Sequence, residues 1–329
     1  MADDNKKKFW VGFDLGGTKM LATVFDEKFK PLGRKRRKTK GAEGASAGLD
    51  RIVRTIEEAL EEAKLAPSAL SGIGMGLPGP LDLDKGIIIE SANLGWKNIK
   101  IQQILGDHFK CPVAIANDVD AGTFGEYSFG AGRKGRCVLG VFPGTGIGGG
   151  LVYEGKIFRG KTSSCMEFGH VVVEPRGRLC GCGRRGCLET VASRLAISAE
   201  VAMAAYRGET SLIMEEAGTN LADIRSSLLA DAVAAGDKVV EKIIRNAAKR
   251  IGETVANVSN LLAPDIVVLG GGLVEALRAI FLDEVREAVQ KNVMDSFAKS
   301  INVEVATLGD DAGVMGAAAL IAARVAEGT

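Results

Sequence analysis

The chain has 329 residues, 46% of them hydrophobic and 25% charged, with a formal net charge of +1. Those values fit a globular protein of one large or two ordinary domains, and a charge this near zero gives no electrostatic case for a nucleic-acid or membrane partner. The polar leader Met1–Lys8 lacks the apolar centre of a secretion signal and no window reaches transmembrane length, so the composition points to the cytoplasm.

Phe9–Asp14 (FWVGFD) is a short apolar run, hence a strand; Gly16 and Gly17 turn the chain, and Met20–Phe25 returns. A third strand is expected near Leu32–Arg37, where the basic run Arg34–Lys40 reads as a solvated strand edge rather than an anion-steering patch. Ile52, Val53, Ile56 and Leu60 share one face of a helix over Leu49–Lys64. Gly72–Gly76 is a buried strand entering the turn Leu77-Pro78-Gly79-Pro80. Val113–Ala116 is another, delivering Asn117 and Asp118 at its end. His108 is expected on the surface of a helix. The pattern then restarts. Cys137–Phe142 is a strand, Pro143–Gly150 a glycine turn and Leu151–Tyr153 the return, so that Val11–Gly16 repeats as Leu139–Gly144 at an offset of 128. Lys238–Leu262 is a long helix with an apolar stripe at Val240, Ile244, Ala247, Ile251, Val255, Val258 and Leu262, stopped by Pro264. Ile266–Leu269 is a strand running into Gly270-Gly271-Gly272, and Ala312–Val325 is an alanine-rich closing helix. This order describes an α/β protein whose loops carry function, built as two closely packed lobes without a low-complexity linker.

Three glycine turns follow three of these strands: Asp14-Leu15-Gly16-Gly17-Thr18-Lys19, Gly144-Thr145-Gly146 with the glycines after it, and Gly270-Gly271-Gly272. Glycine lets backbone N–H groups approach a phosphate closely, and the Thr18 and Thr145 hydroxyls add donors. None has P-loop spacing, and the first two lead into strands, unlike a dinucleotide fingerprint. Asp14, at a strand end before two glycines, reads as a Mg²⁺-linked carboxylate. Asn117-Asp118 permits two readings, a helix cap and a general base facing a substrate hydroxyl; glycine turns on both sides favour the base. His170, Cys180, Cys182 and Cys187 lie within eighteen residues among glycines, the ligand set of a closed zinc site. Glu167 and Glu189 stand beside it, carboxylates suited to the vicinal hydroxyls of a sugar. Cys111, Cys137 and Cys165 sit singly and read as buried small hydrophobes.

The motifs GFDLGGTK (12–19), GLPGPLD (76–82), NLGW (93–96), ND (117–118), GTGIGGG (144–150), EFGH (167–170), CGCGRRGCLE (180–189) and LGGG (269–272), in this order, resemble the ROK family of sugar kinases and sugar-responsive repressors from about Phe9 to Ala319. The resemblance implies a two-lobed actin-like/ribonuclease-H-like ATPase fold, that of the sugar kinase, Hsp70 and actin superfamily. Residues 1–116 and 312–329 would form a smaller α/β lobe and 117–311 a larger one carrying the zinc segment 167–189, with the active site in the cleft. It also implies that Asp118 takes the proton of a sugar hydroxyl, O6, and that Gly79, Asn93, Asn117, Glu167, His170 and Glu189 contact the sugar. ATP would lie on Asp14, Gly16, Gly17, Thr18, Lys19, Gly144, Thr145, Gly146, Gly270, Gly271 and Gly272, with Mg²⁺ near Asp14 and a structural zinc on His170, Cys180, Cys182 and Cys187. A homodimer is a family expectation. NLGW and the full zinc motif resemble members that act on glucose, so an ATP-dependent hexose kinase with glucose preferred is the first expectation. A kinase for N-acetylmannosamine, N-acetylglucosamine or fructose, or a non-catalytic sugar-sensing regulator, is the alternative. Two departures stand out. The lead Lys161-Thr162-Ser163-Ser164-Cys165-Met166 is not glycine-rich as it often is in the family, and about eight residues precede the first strand, too few for a repressor's helix-turn-helix.

Overall fold

A computed structural model describes residues 7–91, 94–161 and 165–328. They fall into two compact units: Met1–Arg133 with Gly155–Cys165 and Asp310–Thr329, and Lys134–Glu154 with Met166–Gly309.

In the first unit, Phe9–Leu15 and Lys19–Phe25 form an antiparallel hairpin extended outward by Pro31–Lys38. On the other side, Leu70–Leu77 and Val113–Asn117 follow in parallel. Side-chain alternation sorts the first strand into two faces. Val11, Phe13 and Leu15 share a core with Ile52, Ile56 and Leu60 of the helix Ala45–Glu62. Val53 is only half-buried, and Thr55 and Ala59 complete the inner face instead. Trp10 points the other way and joins Val314, Ala318 and Ile321 of the closing helix Ala312–Glu327. By the same alternation Gly12 and Asp14 lie on Trp10's side.

Glycine paves that second face. A Cβ on Gly12 would stand 1.8 Å from the Val314 carbonyl oxygen, and one on Gly74 would stand 1.8 Å from that of Ala317. The closing helix meets the helix Asp118–Phe129 just as closely. A Cβ on Gly316 would lie 1.8 Å from the Ala121 carbonyl oxygen, and one on Gly125 would lie 2.2 Å from that of Ala312. Backbones this near leave room for small residues alone, which is why the helix is rich in alanine.

The second unit repeats the plan. Cys137–Pro143 and Ile147–Tyr153 are antiparallel, and Ile266–Leu269 and Asn302–Val305 follow in parallel. The repeat at offset 128 therefore marks one hairpin used twice in the same strand order. One expectation is corrected here: the return begins at Ile147, so Gly148, Gly149 and Gly150 lie inside the strand, paired with Phe142, Val141 and Gly140. Against Gly149, the Met166 carbonyl oxygen and the Phe168 Cβ both lie 2.6 Å from where a Cβ would stand. That glycine serves close packing, not turning.

The helix Lys238–Leu262 is capped by Asp237 and ends at left-handed Ala263, before Pro264. Its stripe is buried through Val255, after which Val258 and Leu262 are half-buried and Ser259 turns inward. Trp96 of the NLGW motif is a core residue, packed where a Cβ on Gly48 would touch its ring. Cys137 is buried, whereas Cys111 and Cys165 are only half-buried. No described helix is long and apolar enough to cross a membrane.

The glycine face generates a stability contrast. Gly74→Ala should cost about 3 kcal/mol. Gly106→Ala, whose nearest new contact is 3.7 Å away in the helix Ile101–Phe109, should stay within about 1 kcal/mol of the parent. Urea unfolding of both decides it; equal stabilities would remove backbone contact as the reason for the glycines.

Candidate active site

Strand register gathers the first unit's acidic residues. Asp14 pairs with Gly76 and Leu77 with Asn117, so Asp14 and Asp118 leave the same end of the sheet. Gly76 lies between them: a Cβ there would lie 3.4 Å from the Asp118 Cα and 3.6 Å from Asp14 Oδ1. Gly313, at the start of the closing helix, also lies against Asp14: a Cβ there would stand 3.1 Å from its Cγ. Burial, then the charges of Asp118 and Asp310, push the Asp14 carboxyl up from 3.8 to about 7, against the opposing pull of Arg36.

Asn117 takes the cap that the sequence left open between two residues. Its Oδ1 accepts from the N–H groups of Val119 at 2.9 Å and Asp120 at 3.4 Å. Asp118 opens the helix, half-buried, with Oδ1 accepting from the Val119 N–H at 3.0 Å. The turn after Asp14 is fixed by Gly16 N–H to the Lys19 carbonyl at 2.9 Å and by the Thr39 hydroxyl to the Gly16 carbonyl at 2.7 Å, with Thr18 and Lys19 exposed. Gly79 has φ 90°, and a Cβ there would lie 2.4 Å from the Glu90 carbonyl oxygen, so only glycine fits. Asn93 lies outside the described residues. The basic run is an edge strand whose alternate residues pair in opposite directions. Arg34 and Arg36 reach Asp311 and Asp310 at 2.8 and 2.6 Å, while Lys35 and Arg37 reach Glu58.

In the second unit two turns leave one sheet end, because Val141 pairs with Leu269. The first closes with Gly144 N–H to the Gly146 carbonyl at 2.8 Å. Arg194 holds it from outside, through its N–H to the Gly144 carbonyl at 2.8 Å and its guanidinium to Thr145 Oγ1 at 3.1 Å. In the second, Gly271 takes φ 87° and Gly272 begins a five-residue helix. Glu189 stands against the first turn, with Oε2 2.9 Å from where a Cβ on Gly146 would be.

His170, Cys180, Cys182 and Cys187 converge, their ligand atoms all within 4.8 Å of one another. Cys182 Sγ lies 3.6 Å from Cys187 Sγ, and Cys180 Sγ lies 3.5 Å from His170 Nδ1. A tetrahedral zinc with Zn–S near ~2.3 Å spaces its ligand atoms roughly 3.5–3.8 Å apart; these two pairs match that spacing, and the whole set lies within 4.8 Å, so the residues suit that ion. The chain returns tightly between ligands at Gly186, φ 76°, where a Cβ would collide with the Glu174 carbonyl oxygen. The Arg184 N–H, first among several donors, holds the exposed Cys182 thiol down at about 6. Burial pushes Cys180 up to about 12. Cys180 Sγ donates to Glu189 Oε1 at 2.9 Å, while Glu167 is exposed, its Oε2 3.9 Å from His170 Nε2. His108 is exposed on its helix and pairs with Glu57 at 3.0 Å.

Sequence reasoning missed Thr39, Arg194, Asp310 and Gly313. Their one signal is the acidic pair Asp310-Asp311 directly before the closing helix, where a helix start attracts carboxylates.

The ROK family profile matches residues 10–324. A glucokinase of Thermotoga maritima is 35% identical over 317 residues, 96% of this chain and 98% of that one. Among solved structures, a ROK family glucokinase from Streptomyces griseus in complex with glucose and AMPPNP matches with a TM-score of 0.81 and 29% identity, covering 95% of this chain and 98% of its own. A ROK hexokinase from Thermus thermophilus matches with a TM-score of 0.78 and 31% identity, covering 97% and 99%.

Asp14 makes stability depend on pH. Above 3.8 the unfolded chain releases this proton, while the folded chain keeps it to about 7, so the group subtracts stability as pH rises through that window. Asp14→Asn abolishes the loss, and its stability relative to the parent should grow by roughly 3 kcal/mol at most between pH 5 and pH 8, at ~1.36 kcal/mol per unit. Urea unfolding at the two pH values reads this; a constant difference would mean the carboxyl is not held neutral.

Proposed function

This chain belongs to the ROK family, and we propose that it transfers the terminal phosphoryl group of ATP to the 6-hydroxyl of a hexose, glucose first. One observation carries the reading: Asp118 opens a helix beside a second, half-buried carboxylate, Asp14, at one sheet end. The match to a glucokinase solved with glucose and AMPPNP supports the choice of both substrates.

In this reading Asp118 accepts the O6 proton as O6 bonds to the γ-phosphorus and the bond to the β-bridging oxygen breaks, releasing ADP. The Val119 N–H steadies the carboxylate. Asn117 has its side-chain oxygen in the cap, so its contact with sugar is made by the amide N–H₂. Glu167, His170 and Glu189 hold hydroxyls, with Gly79 and Asn93 at the ring's edge. The turns at Gly16–Lys19, Gly144–Gly146 and Gly270–Gly272 offer N–H groups to the phosphates of ATP. Asp14 is the protein's carboxylate for Mg²⁺, which when bound neutralises phosphate charge.

His170, Cys180, Cys182 and Cys187 would hold a structural zinc that stiffens the segment 167–189. With His170 Nδ1 committed to the metal, its proton sits on Nε2, the side that faces Glu167. As a thiolate, Cys180 no longer donates to Glu189, whose Oε1 is then open to a sugar hydroxyl.

A coupled assay over several sugars, with ATP and with polyphosphate, tests the reading, and glucose with ATP should give the highest kcat/KM. Another sugar in first place would change the acceptor. Sugar binding without any turnover would point to a sensor instead. Asp118→Ala should lower turnover by roughly 10²–10⁴-fold with sugar binding kept; near-parental turnover would remove Asp118 from the role. Elemental analysis of protein never exposed to chelator should find about one zinc per chain, from the four-ligand set His170, Cys180, Cys182 and Cys187. Cys182→Ser should weaken sugar binding more than ATP binding, and metal-free protein with full sugar affinity would count against the zinc.

A further inference from the structure

The chain passes from the first unit to the second between Cys165 and Met166. Met166 has φ 59°, in the left-handed region that residues bearing a Cβ seldom occupy, and Glu167 follows it directly. Two contacts hold it there. Its half-buried side chain packs on the hydrophobic core of the second unit. Its carbonyl oxygen accepts from the Phe168 N–H at 2.5 Å and lies 2.6 Å from where a Cβ on Gly149 would stand. Farther on, Phe168 is buried, the His170 N–H donates to the Glu167 carbonyl at 2.9 Å, and a Cβ on Gly169 would come within 2.2 Å of the Ile147 carbonyl oxygen. Residues 166–170 thus lie flat along the strand Ile147–Tyr153, gripped at Gly149 by one end and at Ile147 by the other. The Glu167 side chain, by contrast, is 72% exposed, its one ion-pair partner His170 Nε2 standing 3.9 Å away, so its direction comes mainly from the backbone beneath it.

We propose that Met166 is a positioning residue for the acceptor sugar: its anchored side chain and left-handed backbone set the direction of Glu167, and through it the affinity and choice of hexose. The inference rests on the reading that Glu167 binds sugar. Glycine would adopt this φ without strain, but it would bring no anchor and would add freedom on both sides of the position. Leucine and methionine are close in volume, so leucine keeps the anchor.

The test is steady-state kinetics of the full chain, varying glucose and ATP separately, with mannose as a second acceptor. Met166→Gly should raise the KM for glucose about tenfold, the scale of a small misplacement of a binding group, and narrow the preference for glucose over mannose. The KM for ATP and the zinc content should hold, and Met166→Leu should stay within about twofold of the parent. A parental glucose KM in Met166→Gly overturns the proposal, and so does an equal rise in both KM values or a Leu variant as impaired as the Gly variant. Should Met166→Gly fail to fold, Met166→Ala, which keeps the backbone cost but lacks the anchor, is read in its place by the same criteria. A parent chain that turns over no hexose sinks the functional reading itself, before any variant is compared.

Discussion

The closing helix rests on glycine at backbone distance, and the geometry of the first unit's acidic end follows from that contact. Gly12 and Gly74 let the carbonyls of Val314 and Ala317 approach the sheet, and Gly313 then settles over Asp14. Asp14 is half-buried, and the start of the closing helix lies against it. A carboxyl in that place meets the positive end of the helix on one side and the charges of Asp118 and Asp310 on others. Burial and like charge prevail over Arg36, so the group stands near its midpoint around neutral pH, where a cation nearby would shift it most. The ion pairs of Arg34 and Arg36 with Asp311 and Asp310 tie the edge strand to the same helix start, although exposed pairs of this kind add at most about 1 kcal/mol each.

The repeat at offset 128 shows what each unit does with one scaffold. Gly12 corresponds to Gly140 and Gly16 to Gly144, but Asp14 corresponds to Phe142. In the second unit a Cβ on Gly270 would lie 2.5 Å from the Phe142 ring, so the position packs against the neighbouring glycine turn instead of presenting a charge. The hairpin and its parallel neighbours persist because sheet register depends on alternation and not on the identity of the last residue. Charge at the strand end is free to diverge.

Much of this was legible in the sequence, and the exceptions have physical causes. The strands near Phe9, Gly72, Val113, Cys137 and Ile266 and the helix Lys238–Leu262 announced themselves by period and by end signals such as Asp237 and Pro264. The Cys/His cluster was legible because its ligands lie within eighteen residues, so glycine spacing alone implies the knot. Glycine misled where its two uses look alike in one dimension: Gly148–Gly150 reads as a turn and serves as a flat strand. Thr39 and Arg194 could not be read, because each acts on a partner brought near only by the fold. At Val258 and Leu262 the stripe is only half-covered, packed against the edge of the core.

His170 shows why a knot of thiols and the proposed sugar-binding wall are suited to share one segment. Its backbone is fixed twice, by its N–H on the Glu167 carbonyl and by the Arg184 guanidinium on its own carbonyl at 2.6 Å. Its ring is aimed by Cys180 on the Nδ1 side. A residue so held has little rotational freedom left to lose on gripping a ligand, because much of it is lost on folding. Glu167 has no comparable side-chain restraint, being exposed, and must take its direction from the left-handed residue before it. Two neighbouring groups on one short segment therefore reach preorganisation by different routes, the histidine through its side chain and the glutamate through its main chain. A loop of ordinary composition, without Gly149 and Gly169 to let it lie on the strand, could supply neither.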